Sequence, residues 1–214
     1  MRIALLGAPG SGKGTQALML QKRLGLIHIS TGDIFRASVK SQSVLGEKAK
    51  TYMDQGELIP DPIVVELVIE RLQKQDCQKG YILDGFPRTK TQAEALEDTE
   101  FGVEIVLCLD VPDEELVKRL TGRQTCLTCG HLYHMTSSAP KQAGVCDQCQ
   151  GLLKIRDDDL PDVVKKRLEV YKRLTLPVVA FYREKKILID INGYQEIDQI
   201  FHEILQELTR EQPK

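Results

Sequence analysis

Residues 2–15 read Arg2-Ile-Ala-Leu-Leu-Gly7-Ala-Pro-Gly10-Ser11-Gly12-Lys13-Gly14-Thr15: a short apolar run that breaks into a glycine-rich loop closed by a lysine. The residues that follow have helical spacing. Apolar strand, glycine loop, lysine and helix, in that order, are the context a phosphate-binding loop requires. Glycines let backbone N–H groups turn inward around an anion, and the N-terminus of the next helix adds a positive dipole end. Lys13 adds a mobile point charge for the outer phosphates. The usual loop has Ser or Thr directly after its lysine, whereas here Gly14 stands between Lys13 and Thr15. The plain alternative is a strand-to-helix turn that holds no ligand.

Working outward, four more runs match the first: Leu26–Ser30, Tyr81–Asp84, Val103–Val111 and Ile187–Ile191. They are mostly unbroken apolar segments rather than alternating ones, as strands buried on both faces of a parallel sheet are. Helix-period stretches separate them. In the last stretch Ile197, Ile200, Phe201, Ile204, Leu205 and Leu208 paint one face. Asp61-Pro62 reads as a helix start with Asp61 as the cap, and Gly25 and Gly56 read as stops. The expected fold is α/β: a five-stranded parallel sheet with helices on both faces, of the P-loop NTPase type, with ligands at the strands' C-terminal ends. Two stretches interrupt the rhythm. Residues 31–60 are helical without a strand, and residues 122–159 are polar, loop-like and rich in cysteine.

The chain has 214 residues, enough for one domain or one domain with an elaborated insertion. Apolar residues make up 42% and charged residues 28%, which excludes a disordered chain. A net charge of −2 leaves no global basic field for nucleic acid. No apolar run approaches the ~20 residues of a membrane helix. Ile3–Leu6 is too short for an export signal, so a cytoplasmic setting is expected.

Four of the six cysteines fall as Cys126-x-x-Cys129 and Cys146-x-x-Cys149, sixteen residues apart. That spacing suits a tetrahedral four-cysteine zinc site, closed to water and therefore structural. The alternative is a cluster that has lost its metal or oxidises. Cys77 and Cys108 read as small buried hydrophobes. Asp84 ends a buried strand beside the loop and is placed to hold Mg²⁺, or else merely caps the following turn. The arginines 36, 88, 123, 156 and 167 would each read alone as solvated surface residues; with a phosphate loop they suggest a clamp for two polyanions. No activated nucleophile is visible. A phosphate acceptor already ionised near neutral pH needs none.

Ser30-Thr-Gly-Asp33 with Arg36, Leu83-Asp-Gly-Phe-Pro-Arg88 with Gln92, Gly122-Arg123, Tyr133-His134, Arg156-Asp-Asp158 and Arg167, together with the loop, resemble the nucleoside monophosphate kinases, the adenylate kinase family in particular, over essentially the whole chain. The resemblance implies reversible, Mg-dependent phosphoryl transfer from ATP to AMP by a monomer. It assigns catalysis to Lys13, Arg88, Arg123, Arg156 and Arg167, beside Asp84. It puts ATP on Gly10, Ser11, Gly12, Lys13, Gly14, Thr15, Arg119, Arg123, Leu132, Tyr133 and Gln195, with Arg119 stacked on the adenine. It puts AMP on Thr31, Arg36, Glu57, Leu58, Ile59, Gly85, Phe86, Pro87, Arg88, Gln92, Arg156 and Arg167. Gln92 has a second reading as an exposed helix residue. The implied units are a core (1–29, 60–121, 160–214), a monophosphate-binding excursion (30–59) and a zinc-bearing lid (122–159) of the long bacterial form.

Two rivals remain at this point: a kinase for UMP, CMP or GMP, and a zinc-ribbon nucleic-acid-binding ATPase. Against the second, residues 122–159 balance four basic residues (Arg123, Lys141, Lys154, Arg156) with four acidic ones (Asp147, Asp157, Asp158, Asp159). Their only ring outside histidine is Tyr133, where a nucleic-acid surface would want a basic stripe and stacking platforms. A guanine-reading Asn-Lys-x-Asp motif does not occur, which speaks against a GTPase switch.

Overall fold

The apolar runs become strands wherever helices cover both of their faces. The computed structural model describes residues 1–210; residues 211–214, the end of the range expected for the core, lie outside the described residues. Strand β1 (Arg2–Gly7) leads through the glycine loop into α1 (Lys13–Leu24), and β2 (Ile27–Ser30) into α2 (Thr31–Lys40), α3 (Val44–Asp54) and α4 (Asp61–Leu72). β3 (Tyr81–Asp84) precedes α5 (Lys90–Glu97), and β4 (Ile105–Asp110) precedes α6 (Asp113–Thr121). Three short strands follow, β5 (Arg123–Cys126), β6 (Leu132–His134) and β7 (Leu153–Lys154). The chain then returns through α7 (Pro161–Val170) and α8 (Leu176–Glu184) to β8 (Leu188–Asn192) and α9 (Ile197–Arg210). The main sheet is five-stranded and parallel, in the order β2-β3-β1-β4-β8. The strand ends differ from the sequence reading by one or two residues, as end-fraying allows.

The sheet sorts its side chains by alternation. Ile3, Leu5, Ile82, Leu107 and Leu109 face α1 and α9, where Ala17, Leu20, Ile200, Ile204 and Leu208 complete one core layer. Ala4, Leu6, Ile29, Leu83, Val106 and Cys108 face the other way, toward Val68, Leu96, Val178 and Tyr182. Cys77 and Cys108 are both buried there, as small hydrophobes. Gly25 takes left-handed φ at the end of α1 and Gly56 does so just beyond α3. Gly46 in α3 permits a close helix crossing: a Cβ there would stand 2.0 Å from the Ser38 carbonyl oxygen in α2.

Two expectations are corrected. Helix α4 does begin at Asp61, but its cap is the carbonyl of Pro60, which accepts from the N–H groups of Ile63 and Val64. The Asp61 carboxylate is turned elsewhere, accepting from Thr89 Oγ1 and Gln92 Nε2. The stretch 122–159 is not only polar loop: β5 pairs antiparallel with β6 and with β7 in a three-stranded sheet. Strands of two to four residues, pinned at cysteines, are too short to show a period of two.

This small sheet has almost no core of its own: Cys126, Tyr133 and Cys146 are buried, with Leu153 packed against them. The four sulfurs of Cys126, Cys129, Cys146 and Cys149 lie within 4.8 Å of one another. Cys126 and Cys149 are 3.4 Å apart and Cys129 and Cys146 are 3.6 Å apart. Tetrahedral zinc with ~2.3 Å bonds needs sulfur–sulfur separations of about 3.8 Å, so the set fits that ion. Burial opposes the Cys146 thiolate, but the Tyr133 hydroxyl and the N–H groups of Cys149 and Gln148 outweigh it and bring its pKa down to about 6. The Gly151 N–H favours a Cys149 thiolate, yet the sulfurs of Cys129 and Cys126 push its pKa up to about 12. Four sulfurs gathered this closely form a ligand set for one cation.

Removing the metal from purified protein is therefore expected to lower the melting temperature and to open residues 122–159 to protease before the main sheet is cut. A cleavage pattern unchanged by chelation, with zinc shown to be gone, would contradict this account of the small sheet.

Candidate active site: a cation-lined cleft

The C-terminal ends of the parallel strands open onto a cleft of about 800 Å³. Its floor is the glycine loop. Gly7 has φ +140°, and a Cβ there would stand 2.6 Å from the Leu109 carbonyl oxygen and 2.7 Å from Ser11 Oγ. Only glycine lets the strand turn so tightly against its neighbour. Lys13 arches back over the loop and donates to the carbonyl oxygens of Gly7 (2.7 Å) and Ala8 (2.8 Å). Burial outweighs its attraction to Asp84 and, with repulsion from Arg88 and Arg167, brings its pKa down to about 8. Asp84 Oδ2 stands 3.3 Å from where a Cβ on residue 14 would sit. That tight approach gives a physical reason for glycine between Lys13 and Thr15.

The Asp84 carboxylate is buried, which raises its pKa. His28, Lys13 and Arg88 more than offset this and hold it below the usual carboxylate range. His28 Nε2 lies 3.4 Å from Asp84 Oδ2. An ionised, inward-facing oxygen donor beside a phosphate loop suits a hard divalent cation such as Mg²⁺.

Arg36, Arg88, Arg119, Arg123, Arg156 and Arg167 all line this cleft. Arg88 and Arg156 are crowded: burial and neighbouring guanidinium groups bring each down to about 10. Such groups want anions, and the protein supplies a few. Asp159, whose side chain is 0% exposed, receives Nε and Nη2 of Arg123 at 2.8 and 2.6 Å and Nη1 of Arg167 at 3.0 Å. Arg167 Nη1 also donates to the Asp158 carbonyl oxygen at 2.7 Å, and Asp33 pairs with Arg36. Arg156 donates to Thr125 Oγ1 in the small sheet (2.8 Å). Arg119 is held by Glu115 and by the carbonyl of Gly193.

The other sequence-derived positions fall into groups. Gly10, Ser11, Gly12, Gly14 and Thr15 line the floor, and Leu132, Tyr133 and Gln195 the side formed by β6 and the loop before α9. Tyr133 turns its hydroxyl inward, toward the Asp147 N–H (2.8 Å) and Cys146 Sγ. Thr31, Glu57, Leu58, Ile59, Gly85, Pro87 and Gln92 line the opposite side. Gln92 is no exposed helix residue: it is 2% exposed and hydrogen-bonded at both ends of its amide. Phe86 does not reach the cleft. It is 0% exposed in the core layer with Leu83 and Leu96. His134, a rival metal ligand by type, accepts at Nδ1 from the Thr136 and Ser137 N–H groups instead.

Sequence reasoning missed Asp159, His28 and Asp61. The acidic run after Arg156 was the one visible signal, and nothing in it distinguished Asp159 from Asp157. His28 and Asp61 act through partners distant in sequence, which a single chain does not reveal.

A profile of the family described as adenylate kinase matches residues 5–187. A protein named adenylate kinase from Caldicellulosiruptor saccharolyticus is 50% identical over 212 residues, covering 97% of this chain and 99% of its own. One of that name from Lachnospira eligens is 47% identical over 209 residues (96% and 98%). Another from Methanococcoides burtonii is 50% identical over 214 residues (98% and 99%). Matches of this identity over nearly the whole length show that the chain belongs to the adenylate kinase family.

Proposed function

We propose that the cleft binds ATP and AMP tip to tip and that the residues lining it divide the work of transferring one phosphoryl group between them. The chain is an ATP:AMP phosphotransferase: ATP and AMP give two ADP, reversibly. One observation carries the division of labour. Lys13, Arg36, Arg88, Arg123, Arg156 and Arg167 all line one cleft.

Two nucleotide phosphates repel, and the attacking and leaving oxygens must nevertheless be held in line. Fixed cations at the junction offset that repulsion and follow charge onto the transferred group, with no reorganisation at the moment of reaction. In this reading the loop residues 10–15 cradle the ATP phosphates, and Lys13 leaves its carbonyl partners for them. Arg36 and Arg88 hold the monophosphate. Arg123 grips the triphosphate, and Arg156 and Arg167 span the junction. Arg119, Leu132, Tyr133 and Gln195 border the ATP base and ribose; Thr31, Gln92 and the backbone of Glu57–Ile59 border the AMP base. Phe86 acts through its backbone and the core rather than by touching nucleotide. Asp84 would hold Mg²⁺ beside ATP, and the bound ion would supply charge neutralisation on the outer phosphates. The acceptor oxygen is already ionised, so no side chain need remove a proton.

Residues 30–59 and 122–159 are proposed as two covers over the core formed by 1–29, 60–121 and 160–214. Their approach is supported by Lys40 of α2, which donates to the Leu127 carbonyl oxygen in the cysteine-bearing stretch at 3.2 Å. Closure would exclude water, which competes for the transferable group. The four cysteines hold a structural zinc in the second cover and take no part in the chemistry. The family resemblance implies a monomer. No described helix is long and apolar enough to cross a membrane. Four cysteines placed to hold a metal, with Cys77 and Cys108 as buried thiols, fit a reducing, cytoplasmic setting.

An enzyme-linked assay across AMP, GMP, CMP and UMP is expected to find strong preference for AMP; preference for another base would overturn the assigned acceptor. Replacing Arg88 or Arg123 by alanine is expected to cut kcat by roughly 10²–10³-fold, the scale for losing one preorganised charge donor. Wild-type-like kcat in either variant would remove that residue from the clamp. The third expectation concerns Lys13. Burial and the neighbouring guanidinium groups bring its pKa down to about 8. Polyphosphate favours the charged amine, so binding raises that pKa and takes up protons above pH ~8. Affinity for a bisubstrate mimic should then weaken as pH climbs through that region. Calorimetry at pH 8.5 in buffers of differing ionisation enthalpy should report net uptake that Lys13→Arg abolishes. Zero uptake in the wild type would refute it.

A further inference from the structure

Gln92 sits in a closed ring of hydrogen bonds that none of the assigned roles explains. Its Oε1 accepts from the Arg88 backbone N–H at 2.7 Å, and its Nε2 donates to Asp61 Oδ1 at 2.7 Å. The other oxygen of Asp61 accepts from Thr89 Oγ1 at 2.9 Å, and Thr89 Oγ1 in turn accepts from the Gln92 N–H at 3.1 Å. A carboxamide has two N–H donors and two oxygen lone pairs. The ring uses one of each, and no other partner of this amide occurs among the described residues. One donor and one acceptor remain on a 2%-exposed side chain that lines the cleft.

The partners decide which way the amide lies. A backbone N–H can only donate, and an ionised carboxylate can only accept. Turning the amide over would set NH₂ against the Arg88 N–H and oxygen against the Asp61 carboxylate, losing two hydrogen bonds and creating two repulsions. Glutamine is usually ambivalent between bases because its amide can turn. Here it cannot.

We infer that Asp61 is a specificity-determining positioning residue: it locks the Gln92 amide so that the cleft distinguishes a 6-amino purine monophosphate from a 6-oxo one. The inference rests on the reading of Gln92 as facing the acceptor base. Adenine presents a donor at its 6-amino group beside an acceptor ring nitrogen, the pattern a glutamine amide reads bidentately. A 6-oxo purine presents an acceptor beside N1–H, which requires the inverted amide. Asp61 touches no nucleotide in this scheme; it acts through Gln92 alone. Thr89, held in place as the cap of α5, fixes the carboxylate in turn.

The test compares AMP with inosine monophosphate, which exchanges donor for acceptor at this edge without adding an exocyclic group. Equilibrium binding and steady-state rates would be measured for the wild type and for Asp61→Asn, an isostere whose own amide can face Gln92 in either orientation. The expected result is that the AMP-over-inosine preference narrows by about tenfold or more, within the range of a bidentate base contact. The change should appear in Kd and KM for the monophosphate, with KM for ATP unmoved. A variant that keeps the full preference, or that weakens both monophosphates equally, overturns the lock while leaving AMP as the acceptor. A wild type that binds both equally overturns the lock together with the base assignment. Should Asp61→Asn fail to fold, Asp61→Ser, whose hydroxyl also donates or accepts, takes its place: a narrowed preference supports the lock and an unchanged one overturns it.

Discussion

Repulsion among like charges is the constraint around which this molecule is built. A reaction between two phosphate chains needs cations close together, and cations close together repel when their anions are absent. The strain is visible in Lys13, Arg88 and Arg156, all held below their ordinary pKa chiefly by burial and then by neighbouring guanidinium groups. Such crowding survives only on a rigid base. The two-faced core supplies it: β1 and β3 end in the glycine loop and Asp84, side by side in register, so the floor of the cleft is fixed by the sheet. What the floor cannot supply is reach, and Arg36, Arg123 and Arg156 come from the two excursions that interrupt the sheet's rhythm.

How much of this was legible in the sequence depended on the range of the interaction. The five strands could be read because burial on both faces makes each a solid apolar run, and α9 because Ile200, Ile204 and Leu208 repeat on one face. The glycine loop and the paired cysteines could be read because their chemistry is written in local spacing. The strands β5, β6 and β7 could not, since runs of two to four residues are too short to show an alternation. Asp61 misled for a related reason. An aspartate ahead of Pro62 has the look of a local cap, yet its carboxylate serves residues nearly thirty positions away. Phe86 sits inside an assigned motif and faces the core, because a motif fixes identities along the chain and not the side on which each residue emerges.

The cysteine-bearing stretch solves a problem of size. Three buried side chains cannot stabilise a sheet by removing apolar surface from water. Sulfur–metal bonds from the four cysteines would replace that missing core and stiffen the stretch that carries Arg123 at its entry and Arg156 at its exit. Gly122 caps the C-terminus of α6 at the entry to this stretch. A Cβ there would stand 2.3 Å from His134 Nε2, so the imidazole lies directly on the backbone where α6 gives way to β5.

Asp159 bears on how the arginines would exchange partners. It neutralises one guanidinium at the start of the cysteine-bearing stretch and another on α7, from a position closed to solvent. The cluster thus carries an internal counter-ion. If Arg123 takes a polyphosphate as proposed, the ligand would have to share that group with Asp159 or draw it away, so part of its attraction would go into exchange of partners. Apparent affinity would then stay lower than six cations alone would make it, and the products, equally polyanionic, would meet a rival already in place.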